Sequence, residues 1–240
     1  MIEIDGLTVQ FGGVRGLNNL TVTLADPITG LIGPNGAGKT TLLNVLSGFV
    51  RPTAGTVRVD GQAVLRLPPH RRTIFGVRRT FQTEQVVENL TAWDNVAAVL
   101  DNVPRQGRSP AAAIEAIIGF VGLADRARQT GRDLNAHDRR MVEIARAAIG
   151  QPRLIMMDEP GAGLSETESD HLRQVILGLP GFCGAQVLLV DHDVDLIAAT
   201  CNETLVLDFG SQIAHGPTAE VLRDPKVRAA YLGTLAGEAA

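Results

Sequence analysis

The chain is poor in cysteine, lysine and excess charge, and these shortages narrow what it can be. Two cysteines, Cys183 and Cys201, in 240 residues leave no disulfide framework and fit a reducing compartment. A formal net charge of −4 excludes a nucleic-acid binder held by bulk electrostatics. No run approaches the ~20 apolar residues that a membrane span needs. The opening Met1-Ile2-Glu3-Ile4-Asp5 has neither the basic nor the apolar region of a signal peptide. There is no repeat of solenoid period and no low-complexity tract, and the tail from Gly237 reads as frayed. The expectation is a soluble, cytoplasmic chain. Lysine is the sharpest shortage: of 22 basic residues only Lys39 and Lys226 are lysine, so a lysine in a motif has a reason to be one.

What is present is ordinary for a globular protein. Hydrophobic residues make up 45% and charged residues 20%, and the length suits one α/β domain with a small appended subdomain. Short apolar runs alternate with helical stretches, the pattern of an α/β fold. Thr29–Ile32, Leu154–Met157, Val187–Val190 and Thr204–Leu207 read as strands covered on both faces. Thr56–Val59 reads as a strand ending in a tight turn at Asp60-Gly61. Thr41–Leu46 reads as a helix stopped by Gly48 and Pro52. Between Glu88 and Gly131 the texture turns helical, with Ala92–Leu100 and Ala111–Ile118 flanking the loop Pro104–Pro110. A helix over Asp138–Ile149 puts Met141, Ile144, Ala145, Ala148 and Ile149 on one face and Arg139, Arg140, Glu143 and Arg146 elsewhere.

Gly33-Pro34-Asn35-Gly36-Ala37-Gly38-Lys39-Thr40 matches the phosphate-binding pattern Gly-x4-Gly-Lys-Ser/Thr at a strand-to-helix junction. Glycines let backbone N–H groups curl around phosphate oxygens, and the helix N-terminus adds positive potential. Lys39 reaches the β/γ-phosphates as a point charge, and the Thr40 hydroxyl can ligate Mg²⁺. A chance match in a chain of this length is roughly a one-percent event on average residue frequencies. Asp158-Glu159 stands where an apolar strand ends. Asp158 can join the Mg²⁺ shell, and Glu159 can polarise an attacking water as general base.

With these residues the chain resembles the nucleotide-binding subunits of ABC transporters over nearly its full length. In Arg79-Thr80-Phe81-Gln82, the glutamine matches the family's Q-loop residue that touches Mg²⁺ and senses the membrane partner. His192 matches the switch histidine at the γ-phosphate, and Phe11 the aromatic that stacks on adenine, where tyrosine is more usual. Singly, Gln82 reads as a solvated glutamine, His192 as a structural histidine and Phe11 as a core residue; in order and in register they carry the resemblance. Phe11-Gly12-Gly13, Arg78–Gln82, Val142–Ala147 and Asp224–Gly233 look like the branched-chain amino acid transport ATPases, and lipopolysaccharide-export ATPases share much of this texture.

The resemblance implies a P-loop NTPase (RecA-like) α/β core with an N-terminal antiparallel β subdomain over 1–87 and 150–240, and an inserted helical subdomain over 88–149. It implies ATP and Mg²⁺ as cofactors. Phe11, the loop from Gly33 to Thr40, Thr41, Asn135 and His137 bind nucleotide; Thr40, Gln82 and Asp158 bind metal; Glu159, His192 and Gln82 are catalytic. The implied partners are integral-membrane permease subunits, a second ABC ATPase and, indirectly, a periplasmic binding protein, with no nucleic acid. The implied location is the inner face of the cell membrane, as a peripheral subunit. Two segments depart from the family. Leu134-Asn135-Ala136-His137-Asp138 stands where the signature Leu-Ser-Gly-Gly-Gln or Leu-Ser-Tyr-Gly-Glu is expected. Asn135 can still cap the helix, but His137 replaces a glycine, and its ring either blocks phosphate or donates to it. Gly161-Ala162-Gly163-Leu164-Ser165 lacks the aspartate that usually ends the D-loop. This chain's own Walker residues are intact while the surfaces it offers a partner are altered, which favours a heterodimer over a homodimer. A nucleotide-gated dimerisation module with weak hydrolysis is the competing class.

Overall fold

A computed structural model describes residues 1–104, 107 and 109–230 and the backbone of 231–232. The tail from Gly237, Gly233 and part of the loop Pro104–Pro110 lie outside the described residues. In chain order the elements are β1 (Ile2–Phe11), β2 (Val14–Leu24), β3 (Ile28–Ile32), α1 (Lys39–Ser47), β4 (Ala54–Val59), β5 (Gln62–Ala63), α2 (Pro69–Phe75), β6 (Val77–Arg79), α3 (Ala92–Leu100), α4 (Pro110–Phe120) and α5 (Ala136–Ala148). They continue with β7 (Leu154–Asp158), α6 (Glu166–Cys183), β8 (Gln186–Val190), α7 (Val194–Thr200), β9 (Glu203–Asp208), β10 (Ser211–Pro217), α8 (Thr218–Val221) and α9 (Pro225–Val227). The chain divides into two compact units, Met1–Arg72 with the segment from Leu188 onward, and Thr73–Val187.

The first unit holds an antiparallel sheet in the order β2-β1-β4-β5. Apolar alternation in β1 runs Ile2, Ile4 and then Leu7, Val9, because a bulge shifts the register between Ile4 and Leu7. Asp60 and Gly61 both have positive φ, 47° and 74°, the backbone that a two-residue hairpin turn requires. The unit also holds β10-β9-β3-β8 side by side, with β3 parallel to β9 and β10 antiparallel to it. Every residue of β3 and β8 is buried, as a strand covered on both faces demands. Ser211–Pro217, for which the sequence reading sets no expectation, is a full strand.

In the second unit β6 and β7 pair in parallel, Val77 opposite Leu154 and Arg79 opposite Met156. The helices α3, α4 and α5 pack on one another, and α5 also packs on α6. Side chains cap their starts: Thr91 accepts from Asp94 N–H at 3.0 Å and Asn135 from Asp138 N–H at 2.7 Å. The helix α6 repeats Leu172, Val175, Ile176 and Leu179 on one buried stripe. The polar face of α5 departs from the sequence expectation, since Arg140 and Glu143 are buried, at 2% and 5% exposure.

Candidate nucleotide site

In the first unit, the chain leaves β3 at Ile32, turns through Gly33–Gly38 and enters α1 at Lys39. The start of α1 has no side-chain cap, so its first N–H groups point to whatever sits in the loop. The Lys39 side chain folds back over the loop, donating to the Gly33 carbonyl at 2.6 Å and the Pro34 carbonyl at 3.0 Å. That cation is 8% exposed and held by carbonyl dipoles, an arrangement suited to an arriving anion. Thr40 is exposed and Thr41 half-buried beside Gly16, while Asn35 and Gly36 are open to solvent.

Residues that sequence reasoning missed brace the loop. The β9–β10 turn at Phe209-Gly210 lies against it: Gly210 N–H donates to the Ala37 carbonyl at 2.9 Å, and Asn18 N–H donates to the Gly210 carbonyl at 2.8 Å. Phe11 ends β1 with half its surface exposed, and its ring packs over Gly16. A phenylalanine so exposed is no core residue, and it offers a face for stacking. His192 follows β8, the neighbour of β3, and is half-buried between Asp191 and the α7 cap Asp193.

In the second unit, Asp158 closes β7 and Glu159 turns the chain with a φ of 50°, an unusual backbone for a residue with a Cβ. The structure brings Gln82 to Glu159, amide Nε2 donating to Oε2 at 2.8 Å. It brings Arg79 to Asp158, guanidinium to carboxylate at 2.6 Å with both side chains nearly buried. Arg79 is the last residue of β6, directly before Thr80-Phe81-Gln82, and its sequence setting alone gives it no role. The segment 81–85 is clamped from α5: Arg140 donates to the carbonyls of Phe81 at 2.7 Å and Gln82 at 3.1 Å. Glu143 pairs with Arg140 at 3.1 Å and accepts from Gln85 N–H at 2.8 Å, and Arg146 donates to the Gln85 carbonyl. Burial drives the Glu143 carboxyl upward, against the pull of the Gln85 N–H and the two arginines.

Asn135 caps α5 and is exposed. His137 does not stand free over the helix start. Its Nε2 lies 2.9 Å from His171 Nδ1, and its Nδ1 lies 3.4 Å from Asp138 Oδ1. Ser165 heads α6, its N–H and hydroxyl both donating to Glu168 at 2.9 and 2.7 Å. Those bonds hold the Glu168 carboxyl below its ordinary value.

An ABC transporter family model matches residues 17–162, and a branched-chain amino acid ATP-binding cassette transporter model matches 211–236. The chain belongs to the ABC transporter family. This cassette is 34% identical to the high-affinity branched-chain amino acid transport ATP-binding protein BraF of Pseudomonas aeruginosa, covering 97% of this chain and 98% of that one. It is 34% identical to the lipopolysaccharide export system ATP-binding protein LptB of Haemophilus influenzae, covering 97% of each. The solved ADP conformation of MJ1267, an ATP-binding cassette of an ABC transporter, superposes with a TM-score of 0.84 at 26% identity, covering 97% of this chain and 98% of that one. The fold is therefore a P-loop NTPase α/β cassette with its antiparallel sheet, and the chain is an ATP-hydrolysing transporter subunit that binds ATP. Among the described residues no helix is long and apolar enough to cross a membrane.

Proposed function

We propose that this cassette drives uptake of branched-chain or related amino acids or amides through separate membrane permease subunits, from the inner face of the membrane. Lys39 and the start of α1 take the β- and γ-phosphates, with Phe11 stacked on the base. The observation that carries the nucleotide reading is the Lys39 ammonium, buried over its own loop and held by the Gly33 and Pro34 carbonyls. Thr40, Gln82 and Asp158 are each assigned to Mg²⁺, and each offers an oxygen donor, the chemistry that suits that ion. The ion would offset the charge of the phosphate oxygens. Glu159 acts as general base toward water, and His192 contacts the γ-phosphate. The strained backbone at Glu159 supports this role, since such strain gathers at functional sites. The helical segment 88–149 presents Leu134–Asp138 to a second ATPase, and because this segment departs from the family signature the partner is a sister subunit with an intact one. A periplasmic binding protein acts on the assembly indirectly.

The C-terminal match over 211–236 and the resemblance to BraF favour amino-acid uptake, and the similarity to LptB is the reason to keep lipopolysaccharide export as the second reading. Co-purification of the chain with its permease subunits, followed by ATPase assays in proteoliposomes, separates them. Stimulation by branched-chain amino acids with their binding protein is expected; stimulation by lipopolysaccharide alone reverses the choice. Glu159→Gln should bind ATP normally yet hydrolyse it about 10²–10⁴-fold more slowly. Activity within about two-fold of wild type moves the base elsewhere.

A further inference from the structure

The histidine at position 137 meets a second histidine whose sequence neighbourhood, Asp170-His171-Leu172 within α6, carries no motif. The rings face each other at 5.0 Å between centroids and 48° between planes, with Nε2 of His137 2.9 Å from Nδ1 of His171. The His137 side chain is 12% exposed. His171 is seated against Gly122, where a Cβ would lie 3.0 Å from its Nε2. Three segments thus meet at this contact: the turn after α4, the start of α5 and the middle of α6. A histidine in the first turn of a helix can otherwise fold back and cap that turn's N–H groups with its own ring nitrogen, or swing out into solvent.

The proton count at the contact is restrictive. When both rings are neutral, His137 Nδ1–H faces the Asp138 carboxylate and its Nε2 accepts from His171 Nδ1–H. With one added proton His137 donates both ways, to Asp138 and to the bare His171 Nδ1. With a second added proton, N–H faces N–H and the bond is lost. The charged groups around the pair are Asp138 on α5, Arg126 of the turn 124–126 bonded to that carboxylate, and Glu168 on α6; the Gly122 turn supplies none. Burial and the neighbouring His137 hold the His171 imidazole below its ordinary value, against the pull of Asp138.

We propose that His171 is a positioning residue for ATP hydrolysis: it holds the His137 ring against α6 and off the N–H groups that open α5. This rests on the ATPase reading above, in which 134–138 faces the partner's nucleotide. It explains how a histidine is accommodated where the family carries glycine. The hold lasts while the pair carries no more than one added proton, and it fails in acid.

The test uses the full chain and MgATP, both alone, where a second copy is the partner, and paired with the sister ATPase, reading kcat and KM from about pH 5.5 to 8.5, across the range where histidine titrates. His171→Ala should lower kcat roughly ten-fold, the scale of a modest misplacement, with KM little changed. His171→Asn puts an amide where Nδ1 stands; it should restore most of kcat and flatten the acid limb below about pH 6. In a His137→Gly background, His171→Ala should change nothing further. An unchanged kcat in His171→Ala, or the same loss with His137 absent, overturns the proposal while leaving the ATPase reading intact. A wild-type rate no higher than that of Glu159→Gln removes the ATPase reading itself, and the proposal with it.

Discussion

Two glycines of the phosphate loop separate backbone strain from steric collision. Both have positive φ, 105° at Gly38 and 80° at Gly36. A Cβ built on Gly36 meets nothing within 4 Å, whereas one on Gly38 would lie 2.5 Å from the Gly16 carbonyl oxygen and 3.3 Å from Gly210 Cα. Gly36→Ala therefore carries only the cost of an alanine at positive φ, about 1–2 kcal/mol. Gly38→Ala carries the same strain plus a collision with backbone that is itself hydrogen-bonded, at Asn18 to Gly210 and Gly210 to Ala37. Its total should reach about 3–5 kcal/mol, the range of severe single substitutions. At about 2–4 °C per kcal/mol for a chain of this size, Gly36→Ala should lower the midpoint by roughly 2–8 °C and Gly38→Ala by clearly more. Calorimetric melting without nucleotide measures both. Equal midpoints for the two variants would refute the claim that contact with Gly16 and Gly210, rather than torsion, fixes glycine at 38.

Lys39→Ala should abolish the rise in melting temperature on adding ATP, which at a hundred times Kd is worth about 2.7 kcal/mol in the wild type; an unchanged rise removes Lys39 from the site. Arg140→Ala strands the buried Glu143 carboxylate and should cost about 3–5 kcal/mol, whereas Arg140→Met with Glu143→Leu should recover much of it, as denaturant unfolding will show. Burial pushes the Cys201 thiol up to about 11 and raises that of Cys183, with both side chains 8% exposed. At pH 8 only about one Cys201 in a thousand is thiolate, so native protein should resist iodoacetamide and unfolded protein should label at once. Rapid native labelling would show that the α6 end or the Thr200–Cys201 turn opens.

The locally encoded features were legible in the sequence. The phosphate loop was found because its chemistry needs a contiguous run of residues. The strands at 154–158 and 186–190 showed as the apolar runs Leu154–Met157 and Val187–Val190, and the Asp60-Gly61 turn and the Asn135 cap as residue types with one favoured backbone. Other elements were obscured by sequence irregularity. In β1 the bulge after Ile4 interrupts the alternation, and in α6 the stripe Leu172–Leu179 carried a signal that Gly178, Pro180 and Gly181 masked.

By itself, the sequence determined the α/β class, the phosphate loop, the acidic pair Asp158-Glu159 and the start of α5. Only the tertiary structure decided what buried polar groups do. Arg140 and Glu143 looked like a polar helix face because their partners, the backbone of 81–85, lie more than fifty residues earlier in the chain. Arg79 became the partner of Asp158, Gly210 a brace of the phosphate loop, and His171 the holder of His137, by the same route. A cap or a turn is specified by its own few residues, whereas a buried charge or imidazole is tolerated only where the fold brings it a hydrogen-bonding partner, and that partner has no fixed distance along the chain.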